Sequence, residues 1–441
     1  MEQTVNPFFS IPDIETKSHE EISKFQNLEL QKLLLYLSNN SEFYQKHFKL
    51  HNIAISDITC MEDLAKIPAI SKDHLQAYNS QFLCVPQHKI IDYVTTSGTT
   101  SEPVTFALSD KDLNRLAYNE AISLVCADGN PNDIYQLTTT IDRRFMAGLA
   151  YFLGIRDLGC GIVRVGSGIP QLQLDTIERI KPNTIIAVPS FIVALINYAN
   201  SIGFDLNNCS VKKVICIGEP IRDELFKPNA LHIKITNGWD VKLYSTYAST
   251  EMSTAYTECV EQAGGHEHPE LIISELLDED DKVIVDPDIP GELCITTLGV
   301  EGMPLLRFKT GDIVKFEDCK CACGRNTKRI SPVIGRKNQM IKYKGTTLYP
   351  PAVFDVLNSI SEIKDYVIEL KHNELKTDEV IIYLSAITTD VNMLLDQTTN
   401  LLQAKLRVKP KVFIISSKEI QAMQVKANAR KPIKFIDNRK S

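Results

Sequence analysis

Between residues 183 and 200 the chain reads NTIIAVPSFIVALINYAN, a buried-strand run, a Pro-Ser break and then a helical pattern. Such a strand–turn–helix unit has few places to go other than a sheet with helices packed on its faces. The strand is expected over 184–188, with Ser190 as the helix N-cap. KKVICIGEP repeats the logic, a buried strand running into a glycine turn. The same alternation from about residue 90 to 300 predicts an α/β fold, and GELCITTL adds a later strand. Residues 17–38 predict an amphipathic helix, with Ile22, Phe25, Leu28, Leu30, Leu33, Leu34 and Leu37 near helical spacing. Ligands of such folds collect at the carboxyl ends of strands, and the polar motifs of this chain stand at those ends.

After IGRKNQM the texture changes. Two strands are expected within 365–387, joined by KHNELKTD, then a helix over 390–406 and a strand over 411–415. This is a small α+β unit of about a hundred residues. The expected division is therefore a large domain at 1–335 and a small one at 336–441.

The net charge of −7, with no basic stripe, argues against a nucleic-acid partner. The most apolar segment, TIIAVPSFIVALINYA, is interrupted by Pro189 and Ser190 and falls short of the ~20 residues that span a bilayer. The start, MEQTVNPFFSIPDIETK, lacks the basic and apolar regions of a secretion signal, so a cytoplasmic protein with no membrane partner is expected. Eleven cysteines then belong to a reducing compartment. Cys84, Cys126, Cys216 and Cys294 lie in apolar runs, where a thiol acts as a small hydrophobe. DCKCACGRN differs, placing Cys319, Cys321 and Cys323 at alternate positions in a polar loop. ECVEQAGGHEH offers Cys259, His266 and His268, and two ligands from each of two loops can close a tetrahedral metal site.

YVTTSGTTSEP crowds hydroxyls around one glycine after a strand-like run. Turn vocabulary explains it, and so does a phosphate cradle of hydroxyls and exposed amides. Four further polar clusters follow: IGEP (Ile217 to Pro220), YASTEM (Tyr247 to Met252), LLRFKTGD (Leu305 to Asp312) and ARKPIKFIDNR (Ala429 to Arg439). In this order and spacing they resemble the adenylate-forming superfamily, specifically its phenylacetate–coenzyme A ligase family. The likeness covers nearly the whole chain and is most specific from Gly291 to Asp312.

The resemblance implies a large N-terminal domain of β-sheets and helices and a small mobile α+β domain carrying a catalytic lysine. It implies an ATP-dependent, AMP-forming acid–coenzyme A ligase acting on an aryl, phenylacetate-like acid, with Mg²⁺, structural Zn²⁺ and a homodimeric assembly. An acyl-adenylate would form first, and coenzyme A would then displace AMP. Delivery to a carrier protein or an amine, or a non-catalytic nucleotide-binding role, are the alternatives.

Carried over by motif, Thr96, Ser97, Gly98, Thr99 and Thr100 form the phosphate loop, with Thr99 among the catalytic groups. Glu251 holds Mg²⁺, and Tyr247, Ala248, Ser249 and Thr250 border the adenine. Gly218, Glu219 and Pro220 form the pocket's other wall. Asp312 accepts from the ribose hydroxyls, Arg336 assists there, and Lys431 is the catalytic lysine, with Lys434 its neighbour and competitor. Phe145, Tyr151 and Phe152 would serve the acyl pocket. The zinc ligands selected are Cys259, His266, Cys321 and Cys323, within a region inserted at 259–323, with Cys319 and His268 as alternates. Two departures stand out. Ser101-Glu102-Pro103 replaces the family's usual Gly-Lys-Pro, and Asn338-Gln339 follows Gly335-Arg336 where acidic residues are usual.

Overall fold

A nine-stranded sheet organises the chain in a computed structural model, which describes residues 10–96, 103–343, 346–372, 377–425 and 433–439. Five strands run parallel in the order Gly161–Arg164, Ile134–Leu137, Thr184–Ala187, Lys213–Ile217 and Lys242–Ser249. The sheet continues antiparallel through Thr254–Glu258, Gly265–His266, Arg329–Ile330 and Phe316–Glu317.

Alternation along the parallel strands feeds two separate cores. Ile185, Ala187, Val214, Cys216 and Leu243 pack with Ile192, Leu195 and Trp239 on one side. Ile186, Ile215, Ile217 and Tyr244 pack on the other with Ala121, Leu124, Tyr151 and Ile155. Both faces are therefore buried, which is why these strands read as unbroken apolar runs. Each fully buried isoleucine or leucine contributes about 1.5–3 kcal/mol.

The first long helix spans His19–Asn40, opened by Ser18 in a capping box with Glu21. It buries Leu30, Leu33, Leu34 and Leu37 against Phe43, Tyr44 and Phe82, whereas Leu28, expected inward, is 64% exposed. A second, antiparallel sheet runs Ile272–Leu277, Gly291–Thr297, Phe308–Val314 and Gly335–Arg336.

From Ile341 onward the residues build their own core around Val353, Tyr366, Ile382, Leu394 and Leu402. Strands Ile363–His372 and Asp378–Ala386 pair antiparallel, and Phe435–Asp437 and Lys411–Ile414 flank them in parallel. The helix Val391–Leu406 starts one residue after Asp390, which caps it. Among the contacts of this unit with the rest of the chain, two bear on its placement. Asp355 Oδ1 accepts the amide of Ala230, the first residue of helix Ala230–Gly238, at 2.8 Å. Gly335 lies so close to Tyr349 that a Cβ there would fall 2.2 Å from its ring. Among the described residues no helix is long and apolar enough to cross a membrane.

Candidate functional site

The strand Lys213–Ile217 ends in Gly218, whose φ of +73° turns the chain back at the carboxyl edge of the sheet. Glu219 then reaches the helix Pro189–Ile202, accepting from the Ser190 amide at 2.9 Å and its hydroxyl at 3.0 Å. This corrects the expected cap: Val188 is the N-cap and Pro189 is the first helical residue. Proline suits that position because its missing N–H would be unpaired anyway. The next free amide takes the Glu219 anion instead. Glu219 is thus held at a helix end, and the Pro220 carbonyl accepts from Asn229 Nδ2 at 2.8 Å.

YASTEM forms the tip of the hairpin between Lys242–Ser249 and Thr254–Glu258. Ala248 pairs with Ala255, Ser249 Oγ accepts the Met252 amide, and the Thr250 carbonyl accepts from Ser253 Oγ. Glu251 stands half-buried at this tip, and among the described residues its carboxylate has no partner. The tip is fixed from below by Arg115, which no motif singled out. Its buried guanidinium donates to the carbonyls of Ser253, Leu271 and Leu298 and to the Thr254 hydroxyl.

Asp312, on the strand Phe308–Val314, is 7% exposed. Its Oδ2 accepts from the Tyr247 phenol at 2.7 Å and its Oδ1 from Arg336 Nε at 3.1 Å. Burial, and then the Asp312 charge, push the Tyr247 phenol well above its ordinary value, so it stays a donor. Four lone-pair sites on the carboxylate leave room for two hydroxyls of a ligand. Tyr247, Asp312 and Arg336 are therefore brought together where this hairpin meets one strand edge, with Glu251 at the hairpin's tip.

At the hydroxyl loop, Thr96 closes the root: its amide donates to the Val104 carbonyl and its Oγ1 accepts the Val104 amide, both at 3.0 Å. Ser97, Gly98, Thr99, Thr100 and Glu102, and also Lys431, lie outside the described residues. Lys434 Nζ lies 3.6 Å from Asp365 and 4.5 Å from the centroid of the Tyr366 ring. Tyr151 is packed in the core, Phe145 is half-buried ahead of helix Met146–Leu158, and Phe152 lies under the Arg164 guanidinium at 5.4 Å.

Cys259, His266, Cys321 and Cys323 place their ligand atoms within 4.8 Å of one another. The pairing of Gly265–His266 with Arg329–Ile330 draws the two loops together. Cys259 and Cys321 sulfurs are 3.6 Å apart, and Cys323 Sγ is 3.6 Å from His266 Nε2. A tetrahedron with ~2.3 Å metal–sulfur bonds has S···S edges of about 3.8 Å, so the donor set fits zinc. Thr327 Oγ1 holds His266 Nδ1 at 2.9 Å and leaves Nε2 for the metal. Burial keeps that imidazole neutral, below its ordinary pKa. Hydrogen bonds from Cys259, His266 and Arg325 pull the Cys323 thiol far down. The alternates are engaged elsewhere: Cys319 with Glu317 and Arg329, His268 with Ser123 and Glu15. Glu15 also accepts from Arg325 Nε at 2.6 Å, a buried link no pattern in the sequence marks.

The AMP-binding enzyme family model matches residues 44–302. A phenylacetate-coenzyme A ligase of Thermus thermophilus is 28% identical over 356 residues, covering 80% of this chain and 78% of its own length. Among solved structures, 2-hydroxyisobutyryl-CoA ligase in the postadenylation state, with R3-HIB-AMP, matches with TM-score 0.85 at 21% identity, over 97% of this chain and 92% of that one. The same ligase in its thioesterification state, with 2-HIB-AMP and CoA, gives 0.70 at 22% identity over the same shares.

Proposed function

Because the chain belongs to the AMP-binding enzyme family, we propose that it is an ATP-dependent, AMP-forming ligase joining a carboxylic acid to coenzyme A. The observation that carries this reading is Asp312, buried and aimed by Tyr247 and Arg336 beside the YASTEM hairpin. An acid oxygen attacks the α-phosphorus of ATP, pyrophosphate leaves, and the thiol of coenzyme A then displaces AMP from the acyl-adenylate. Asp312 binds the ribose, and the hairpin edge Tyr247 to Thr250 and the Gly218 to Pro220 turn flank the base. Glu251 would hold Mg²⁺, which neutralises charge gathering on the phosphates. Lys431 would place an ammonium against the α-phosphate for the first step and leave for the second, as the unit beyond Gly335 turns. Cys259, His266, Cys321 and Cys323 would hold a structural zinc with no open position, stapling two loops together.

The acid is proposed to be aromatic, a reading supported by the name of the Thermus thermophilus relative. The homodimer rests on the family resemblance alone, and light scattering on the purified protein tests it. Incubation with ATP, Mg²⁺, coenzyme A and a panel of aryl and short acids, read by mass spectrometry, tests the reaction. Acyl-adenylate without coenzyme A and thioester with it are expected. Adenylate that never becomes thioester would move the acceptor to a carrier protein or amine. Absence of pyrophosphate release with every acid would leave only nucleotide binding.

A further inference from the structure

Arg115 lies in the second turn of helix Asp110–Cys126, buried, and among the described residues it forms no ion pair. Its Nε donates to the Leu298 carbonyl at 2.6 Å and its Nη1 to the Ser253 carbonyl at 2.5 Å. Its Nη2 donates to the Thr254 hydroxyl at 3.0 Å and to the Leu271 carbonyl at 2.6 Å. Burial lowers its pKa to about 10, against the pull of Asp112, so it stays charged at neutral pH. A buried charge is costly to keep, and a well-packed apolar side chain of similar volume would serve stability about as well. What a guanidinium adds is direction, because one rigid fork fixes acceptors on three segments at once.

Those segments decide where Glu251 stands. The turn that carries it is followed by Met252, fully buried, and by Ser253, left-handed with φ of +50°, whose carbonyl Arg115 holds. Leu271 leads into strand Ile272–Leu277, and Leu298 follows strand Gly291–Thr297. Both strands belong to the four-stranded sheet that carries Asp312. Asp112, on the preceding turn of the helix, accepts the Glu301 and Gly302 amides at 2.7 and 2.9 Å, so the helix is itself seated on the loop after Leu298. One strand of the YASTEM hairpin is thus joined to the Asp312 sheet by Tyr247, and the other by Arg115.

We propose that Arg115 is a positioning residue for the metal carboxylate, setting where Glu251 stands relative to Asp312 and so where Mg²⁺ meets the phosphates of the bound nucleotide. This rests on the ATP-dependent reading above and on its assignment of Mg²⁺ to Glu251. The Glu251 carboxylate, half-buried and without a partner among the described residues, suits an ion that takes one or two carboxylates together with phosphate oxygens. Groups that orient a metal ligand without touching the metal are worth about ten- to a hundredfold in metal affinity.

The test measures ATP affinity by calorimetry in Mg²⁺ and in EDTA, and takes the ratio as the gain due to the metal. In Arg115→Met that gain should fall by about tenfold or more, while AMP affinity without metal stays within about twofold of wild type. If Arg115→Met does not fold, Thr254→Val decides: it deletes one acceptor at nearly constant shape, and the gain should fall by about threefold or more. An unchanged gain in the folded variant overturns the proposal. So does an equal loss of AMP affinity, the mark of a residue that only holds the fold. Glu251→Gln in the wild-type background should abolish the gain. If the gain survives that change, the metal assignment to Glu251 falls, and the role of Arg115 with it. A wild-type protein that fails to bind ATP overturns the ligase reading itself.

Discussion

The Tyr247 phenol donates to Asp312 Oδ2 at 2.7 Å, a hydrogen bond that runs from the nine-stranded sheet to the four-stranded one. The carboxylate is aimed before any ligand arrives, because Arg336 holds its other oxygen. Asp312→Ala should weaken ATP and AMP binding alike by about 1.5–3 kcal/mol, roughly ten- to a hundredfold. Its effect on melting should be small, since the residue bonds side chains rather than filling the core. Calorimetric titration of both nucleotides decides it, and an unchanged dissociation constant would remove Asp312 from the ribose site.

Metal analysis of protein purified without added metal should find about one zinc per chain. Cys321→Ser and Cys259→Ser should each lower metal content and melting temperature together, because the metal and the local fold are coupled. Cys319→Ser should change neither, as its sulfur is engaged with Glu317 and Arg329. Chelation that leaves the melting curve of the wild type where it was would argue against the site.

Glu120 is buried between helices with the Asn119 amide at 3.2 Å as its donor, and burial raises its carboxyl to about 8. The folded protein therefore prefers the protonated form. An unfolded chain, titrating near ~4.3, binds fewer protons between that value and 8, so stability falls as pH rises through the window. Glu120→Gln removes this titration. Its advantage over wild type should grow between pH 5 and pH 8.5, on the order of 2–4 kcal/mol at the upper end. A melting-temperature difference that stays constant with pH would contradict the assignment.

Asp355 accepts the first amide of helix Ala230–Gly238, beside its Asn229 N-cap, from the unit beyond Ile341. A hydrogen bond from a helix-end amide to a charged carboxylate is worth about 1 kcal/mol, so Asp355→Ala should depopulate this arrangement about fivefold. If this is the arrangement that serves adenylation, single-turnover pyrophosphate release should slow while thioester formation from supplied acyl-adenylate does not. Lys431→Ala should show the same asymmetry on a larger scale, about a hundred- to a thousandfold. Equal damage to both half-reactions in either variant would detach that residue from adenylation.

The legible parts of this chain were those whose partners lie nearby in sequence or in a spaced motif. Alternating strand and helix runs announced the α/β sheet, and Cys259, His266, Cys321 and Cys323, which converge in space, sit in two short loops that one strand pairing joins. Ser190 misled because a serine after an apolar run looks like a cap, while the helix takes its anion from Glu219, 29 residues away. Arg115 and Glu15 gave no signal at all. A buried charge is intelligible only beside its partners, and theirs lie at least 138 residues off in the chain. Tyr151 shows the converse limit, since an aromatic residue at helical spacing reads alike whether it lines a pocket or fills a core.

Glu15 is separated from His268 by 253 residues and from Arg325 by 310. A ribosome working at roughly 5–20 residues per second delivers the second partner some 15–60 s after the first residue has emerged. Until that interval has passed the carboxylate lacks at least one of its two charged partners. The segment around Glu15 is thus expected to be among the last parts of the chain before residue 335 to settle. A nascent chain whose emerged part ends before residue 325 should be clipped by protease near residue 15, and one whose emerged part extends past residue 330 should be protected there.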